Sequence, residues 1–249
     1  MHRYFIEVMY KGTNYSGLQT QTNATTIQSV IENAFQKILR QTIHLTGSSR
    51  TDAGVHALQN FFHIDTDDKF PIQKIYNINA ILPTDIVVKN IYAVPPQTHC
   101  RFNALSREYK YFIATQKNPF IQDRSHYYPY KIDIILLQQA ATIIQTQNNF
   151  IAFSKKHTQV NNFICTIQKS QWSTTQYGYT YNIQANRFLR GMVRAIVATM
   201  LHVGRRALTI QNFKNIFQQN EHQWVNFSAP PQGLFLVKVD YPPDLLIPL

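Results

Sequence analysis

Ile43-His44-Leu45-Thr46-Gly47-Ser48-Ser49-Arg50-Thr51-Asp52-Ala53-Gly54-Val55-His56-Ala57-Leu58 is a stretch of two characters. Its flanks are apolar at strand spacing, and its middle is a run of small and polar residues around one carboxylate. Ile43 and Leu45 predict a short strand, and a second strand pattern runs from Leu58 to Ile64. Between them Gly54 permits a backbone turn that other residues resist. Upstream, Thr25 and Thr26 offer an N-cap, and Ile27, Val30, Ile31, Ala34, Phe35 and Ile38 recur at helical spacing to about Arg40. Further back, Lys11 to Gly17 reads as a loop, and Tyr4, Ile6 and Val8 alternate with Phe5, Glu7 and Met9 as a strand does. Downstream, a helix is expected from Pro71, a favoured first-turn position, carrying Ile72, Ile75 and Ile78. Ile86 to Val94 then reads as a strand.

Outward from the Asp52 stretch the order is therefore β-α-β-β-α-β. That is the ferredoxin-like arrangement, which RNA-recognition modules also use. Pro95-Pro96 punctuates the chain and a similar order starts again. Glu108 to Ala114 predicts a strand with Tyr109, Tyr111 and Ile113 on one face. Ile132 to Ile144 predicts a helix, and Ile164 to Trp172 with Tyr179 to Ala185 a strand pair. Phe188 to His202 reads as a strong helix, Thr209 to Phe217 as a weaker one, and Leu234 to Val239 as a closing strand. The expectation is an α+β protein of two ferredoxin-like, RRM-like halves, residues 1–102 and 103–249, with mainly antiparallel sheet flanked by helices.

Composition narrows the class. Of 249 residues, 44% are hydrophobic and 15% charged, a globular rather than a disordered balance. Lys and Arg total 24 against 13 Asp and Glu, and the net charge of +11 favours a polyanionic partner. The two cysteines, Cys100 and Cys165, lie far apart, and neither has a Cys/His spacing of the zinc-knuckle kind. They read as buried, reduced thiols, and no metal is expected. Arg3 and Glu7 interrupt the first apolar stretch, so no signal-peptide core forms. No apolar run approaches the roughly 20 residues that span a bilayer. The expectation is a soluble cytoplasmic protein without membrane contact. No phosphate-binding Gly-Lys-Ser/Thr loop and no dinucleotide fingerprint appears.

The chemistry is concentrated at Asp52. Arg50 lies two residues before it, close enough to pair, and an adjacent cation lowers a carboxyl pKa. An ionised carboxylate is what a nucleophilic role requires. Taken alone, Asp-Ala-Gly is more often an ordinary turn. Ser49-Arg50-Thr51-Asp52-Ala53-Gly54-Val55-His56-Ala57, however, closely resembles the catalytic segment of the TruA-type tRNA pseudouridine synthases, with Ser49 where that family usually has Gly. Tyr10-Lys11-Gly12 with Tyr15-Ser16-Gly17-Leu18-Gln19 resembles the family's first loop, Leu18 standing where Trp is more usual. Arg107-Glu108-Tyr109-Lys110-Tyr111 is similar to its tyrosine strand, and Asn186 to Arg194 to its late helix. Ala229-Pro230-Pro231-Gln232-Gly233-Leu234 and Val239-Asp240-Tyr241-Pro242 resemble its C-terminal end. These segments come in the family's order and span nearly the whole chain.

The resemblance implies the pseudouridine synthase fold and isomerisation of uridine to pseudouridine at positions 38, 39 and 40 of the tRNA anticodon arm. No cofactor is needed, because the reaction has no net oxidation. Asp52 becomes the nucleophile, attacking either the uracil ring or ribose C1′. Tyr109 becomes the residue that stacks on the flipped uracil, with or without a proton transfer. Arg194 becomes the cation that pairs with Asp52. In a helical projection Arg187, Arg190 and Arg194 lie opposite the apolar stripe of Leu189, Met192, Val193, Ile196 and Met200. Arg187 and Arg190 are then candidates for phosphate contacts, as are Lys155 and Lys156 and the pair Arg205-Arg206. The family usually has a second Gly soon after Gly204, where this chain reads Arg205-Arg206. His56 reads as structural support rather than a base. A homodimer is also implied by the resemblance. Two other readings remain on residues alone: a non-catalytic RNA-binding module, and a small-molecule or hydrolytic enzyme using Asp52 with a histidine. The second lacks a nucleophile elbow or metal spacing.

Overall fold

The computed structural model describes residues 1–155, 161–219 and 222–249. The chain opens with β1 (His2–Tyr10), α1 (Ile27–Leu39), β2 (Thr46–Gly47), β3 (His56–Thr66), α2 (Lys74–Ile81) and β4 (Ile86–Val94). The expected β-α-β-β-α-β order is present. β1 lies between β3 and β4, antiparallel to both, with His2 opposite Thr66 and Arg3 opposite Val94. β2 pairs antiparallel with β3 through Thr46–His63 and Gly47–Phe62. Phe5, Ile6, Phe61 and Phe62 are fully buried, so this sheet carries apolar residues on both faces at its centre.

Helix α1 starts where its cap permits. The Thr26 hydroxyl accepts from the Ser29 N–H at 3.2 Å, and the Ser29 hydroxyl accepts from the Thr26 N–H at 3.1 Å. The helix stops at Arg40, which takes a left-handed conformation at φ 57°. Thr26→Ala removes the cap and should cost about 1 kcal/mol. That corresponds to a fall of about 2–4 °C in melting temperature, readable by circular dichroism.

Two boundaries differ from expectation, each for a local reason. Ile43 and Leu45 are buried but form no strand. The Leu45 N–H donates to the Glu32 carboxylate at 2.8 Å and its carbonyl accepts from the Gln28 side chain at 2.8 Å. α1 thereby satisfies the backbone that a ladder would have used, and the pairing moves to Thr46–Gly47. Helix α2 begins at Lys74 rather than Pro71, because Lys74 and Ile75 donate to Pro71 and Ile72 in three-residue turns before the first α-turn.

After β4 the chain continues through β5 (Ser106–Ala114), β6 (His126–Tyr127), α3 (Ile134–Thr146), β7 (Ile167–Thr175), β8 (Gly178–Ala185), α4 (Met192–Gly204) and α5 (Ile210–Gln219). β8 lies between β5 and β7, antiparallel to both, and β6 adds in parallel to β5. Along β5 the burial alternates, with Tyr109, Tyr111 and Ile113 inward as expected. Helix α3 packs on β7 and against α4 and α5. Every residue of α4 except Arg194 and His202 is buried. The polar helical face expected along Phe188 to His202 is therefore absent. Arg187 and Arg190 precede the helix, which starts at Met192.

The last strands, β9 (Leu234–Asp240) and β10 (Ile247–Pro248), return to the first unit. β9 runs parallel to β3 through His56–Phe235 and Ala57–Leu236, and β10 pairs with β4. The compact units are thus 1–105 with 235–249, and 106–234. They differ from the expected halves 1–102 and 103–249, because a closing strand's partner is set by non-local pairing and not by its position in the chain. Among the described residues no helix is long and apolar enough to cross a membrane.

Candidate active site

Asp52 sits in the loop between β2 and β3, half-buried. Its carbonyl accepts from the Val55 N–H at 3.1 Å, closing a turn with Gly54 at φ 77°, where a side chain would be strained. The turn is clamped from several sides within the first unit. The Tyr10 hydroxyl lies 2.8 Å from the Thr51 hydroxyl. Asn60 donates to the Ser49 carbonyl at 2.9 Å and to the Tyr10 hydroxyl at 3.1 Å. The Thr51 carbonyl accepts from the Leu18 N–H at 3.1 Å. Burial pushes the Tyr10 phenol up to about 12, so it stays neutral throughout the physiological range and the Thr51 contact does not titrate.

The segment Lys11 to Gly17, expected as a loop, forms with Leu18 the second wall of this clamp. A Cβ on Gly12 would lie 2.0 Å from the Val55 carbonyl oxygen, so only glycine permits the approach. The Gly12 N–H donates to His56 Nδ1 at 3.1 Å, and the His56 ring lies 4.5 Å from that of Phe235. His56 is buried and acts as a brace, in keeping with its reading as structural support. Arg50 differs from expectation. It is exposed and, among the described residues, makes no hydrogen bond or ion pair, so the Arg50–Asp52 pairing suggested by spacing is not formed. Thr51 turns into the clamp instead, leaving Arg50 outside it.

The second unit gathers Tyr109, Tyr111 and Arg194. The Tyr109 ring meets Phe188 edge to face at 5.1 Å and is 8% exposed. Tyr111 is fully buried and donates to the Pro230 carbonyl at 2.8 Å. Arg194 donates through Nε to the Ala229 carbonyl at 2.7 Å. Burial pushes the Tyr111 phenol up and the Arg194 guanidinium draws it partly back. The Ala229-Pro230 segment thus anchors both side chains.

The remaining basic candidates scatter. Lys155 is exposed, its stem beside Gly191, and borders an open depression lined also by His222, Gln223 and Phe227. Lys156 lies outside the described residues. Arg190 is exposed and Arg187 half-buried. Arg205 covers the Tyr130 ring at 4.5 Å. Arg206 takes φ 63°, a left-handed position that glycine fills without strain, and pairs with Asp133 at 3.0 Å. Sequence reasoning missed Asn60, whose only signal was a polar residue at an inward position of a buried strand.

A family model described as tRNA pseudouridine synthase matches residues 6–103 and 143–242. Among curated relatives, a tRNA pseudouridine synthase A of Parabacteroides distasonis is 40% identical over 249 residues, covering 98% of each chain. One of Azobacteroides pseudotrichonymphae is 37% identical over 243 residues, covering 97% of this chain and 98% of its own. One of Staphylococcus aureus is 33% identical over 240 residues, covering 95% and 91%.

Proposed function

The chain belongs to the tRNA pseudouridine synthase family, and on that premise we propose that it isomerises uridines 38, 39 and 40 of the tRNA anticodon arm with Asp52 as nucleophile. The enzyme is an isomerase that converts uridine to pseudouridine in tRNA. The observation that carries the residue assignment is the clamp around Asp52. A half-buried carboxylate on a turn fixed by Tyr10, Asn60, Gly12 and Leu18 is pre-organised for attack.

The reaction asks for little else. Asp52 attacks the extruded nucleotide and the C1′–N1 bond breaks. The base turns, C1′ bonds to C5, the bond to Asp52 is released, the C5 proton leaves and N1 takes up a proton. No electrons enter or leave, so no redox partner takes part. A paired uridine must first be flipped out, which costs a few kcal/mol of stacking and pairing. In this reading phosphate contacts offset that cost, with Arg50, Arg187, Arg190, Lys155, Lys156, Arg205 and Arg206 as the candidates. Arg194 serves as the cation for the Asp52 carboxylate. The enzyme works as a homodimer in the cytoplasm.

Chemical mapping of pseudouridine in an unmodified tRNA transcript tests the positions. Product confined to 38, 39 and 40 is expected, and product elsewhere in the tRNA would overturn the specificity. Tyr109 is assigned both to stacking on the uracil and to relaying the C5 proton. Tyr109→Phe should keep tRNA affinity and lower kcat by about 10²-fold, the scale of general acid–base assistance. Full turnover in that variant would reduce Tyr109 to a stacking surface.

A further inference from the structure

His63, His99 and Cys100 converge in the first unit, and none of them takes part in the clamp around Asp52. His63 stands on β3, opposite Phe5 and Thr46. His99 and Cys100 follow the turn that Pro95 and Thr98 close after β4. His63 Nδ1 lies 3.2 Å from Cys100 Sγ, and the His63 and His99 rings meet edge to face at 4.6 Å. One donor atom from each residue falls within 4.8 Å of the other two. Cys100 and His63 are buried, while His99 is half-exposed at the rim. We propose that His63, His99 and Cys100 form a binding site for a zinc-class cation, one that braces the root of the Asp52 loop.

The donor set decides the class of ion. One thiolate and two imidazoles suit a borderline-soft cation, and exclude magnesium or calcium, which take oxygen. Around a tetrahedral zinc, with bonds of about 2.0–2.3 Å, ligand atoms stand roughly 3.5 Å apart. The His63–Cys100 separation already matches, so closure needs only the half-exposed His99 ring to swing inward. Three protein ligands leave the fourth position to water. His63 Nδ1 also accepts from the Cys100 N–H at 3.4 Å, a contact the ion would replace. Arg3 stands beside the cluster, but Asp65 holds it through two contacts of 2.7 Å and balances its charge. On binding, the Cys100 S–H bond breaks, a sulfur–metal bond forms, and the proton leaves to solvent without any redox change. The thiol then gives up its contact to the Thr46 carbonyl.

The link to the Asp52 loop is direct. The Cys100 carbonyl accepts from the Tyr241 hydroxyl, which lies 3.2 Å from the Ser48 hydroxyl. Ser48 is four residues before Asp52. The two-cysteine count gives no sign of this site, because His63 reaches it across 36 residues of chain through the fold.

Titration of the chelator-treated full chain with cobalt(II), then zinc, tests the proposal. One equivalent of cobalt should give a thiolate charge-transfer band and the intense visible bands of a tetrahedral site. Cys100→Ser should abolish the charge-transfer band, and Cys165→Ser should keep it. His99→Ala, at a half-exposed position, should retain the fold by circular dichroism yet bind zinc at least about tenfold more weakly. It should also lose the zinc-induced rise in melting temperature. No charge-transfer band in the parent chain, or zinc affinity unchanged in a folded His99→Ala, would overturn the proposal.

Discussion

Asp52→Ala will release no tritium from tRNA labelled at uracil C5, while the intact chain releases it on each turnover. The expected loss is at least about 10⁴-fold, because removing a covalent nucleophile leaves only binding and positioning to act. The variant should fold normally. Asp52 is half-buried on a turn held by backbone and neighbouring side chains, so truncation opens no core cavity. Binding to tRNA should persist, since phosphate contacts dominate affinity and the change removes a negative charge. Release by Asp52→Ala at the parent rate would sink the nucleophile assignment. An intact chain that binds tRNA without release would return the chain to a binding role.

Gly12→Ala should lower kcat by about 10²-fold, the cost of misplacing a reacting group by roughly an ångström. The added methyl would sit 2.0 Å from the Val55 oxygen and 2.8 Å from its carbonyl carbon, far inside van der Waals contact. Both neighbours are backbone, so no side-chain rotation relieves the overlap. Either the 11–18 loop or the Asp52 turn must move, and the Gly12–His56 bond moves with it. The secondary structure should survive, and KM should change less than kcat, since no phosphate-binding candidate is touched. Single-turnover tritium release separates the two effects. An unchanged kcat would mean that the first loop does not position Asp52.

Local signals carried much of this architecture. β4 falls on the predicted Ile86 to Val94, and α1 begins at the Thr26 cap and ends at Arg40. Those boundaries are written in neighbouring residues, which is why they can be read. What was not legible depended on distant partners. Leu45 lost its strand to side chains of α1. The expected helix start at Phe188 yielded to Met192. At the proposed site, Asp52, Tyr109 and Arg194 are assigned through resemblance and not through physics. Asn60 and Tyr10 became meaningful once the fold brought them to the Ser49–Thr51 backbone.

The return of residues 235–249 to the first unit has a consequence for synthesis. A ribosome delivers residues 1–105 early, yet the strand that lies parallel to β3 beside His56 emerges only after residues 106–234 have been made. The unit that carries Asp52 starts first and finishes last. Until then the β3 edge at His56 and Ala57 lacks its partner, open to non-native pairing. The nascent chain therefore holds the Asp52 loop without its neighbouring strand throughout elongation, and a product truncated before Phe235 cannot close the sheet next to it.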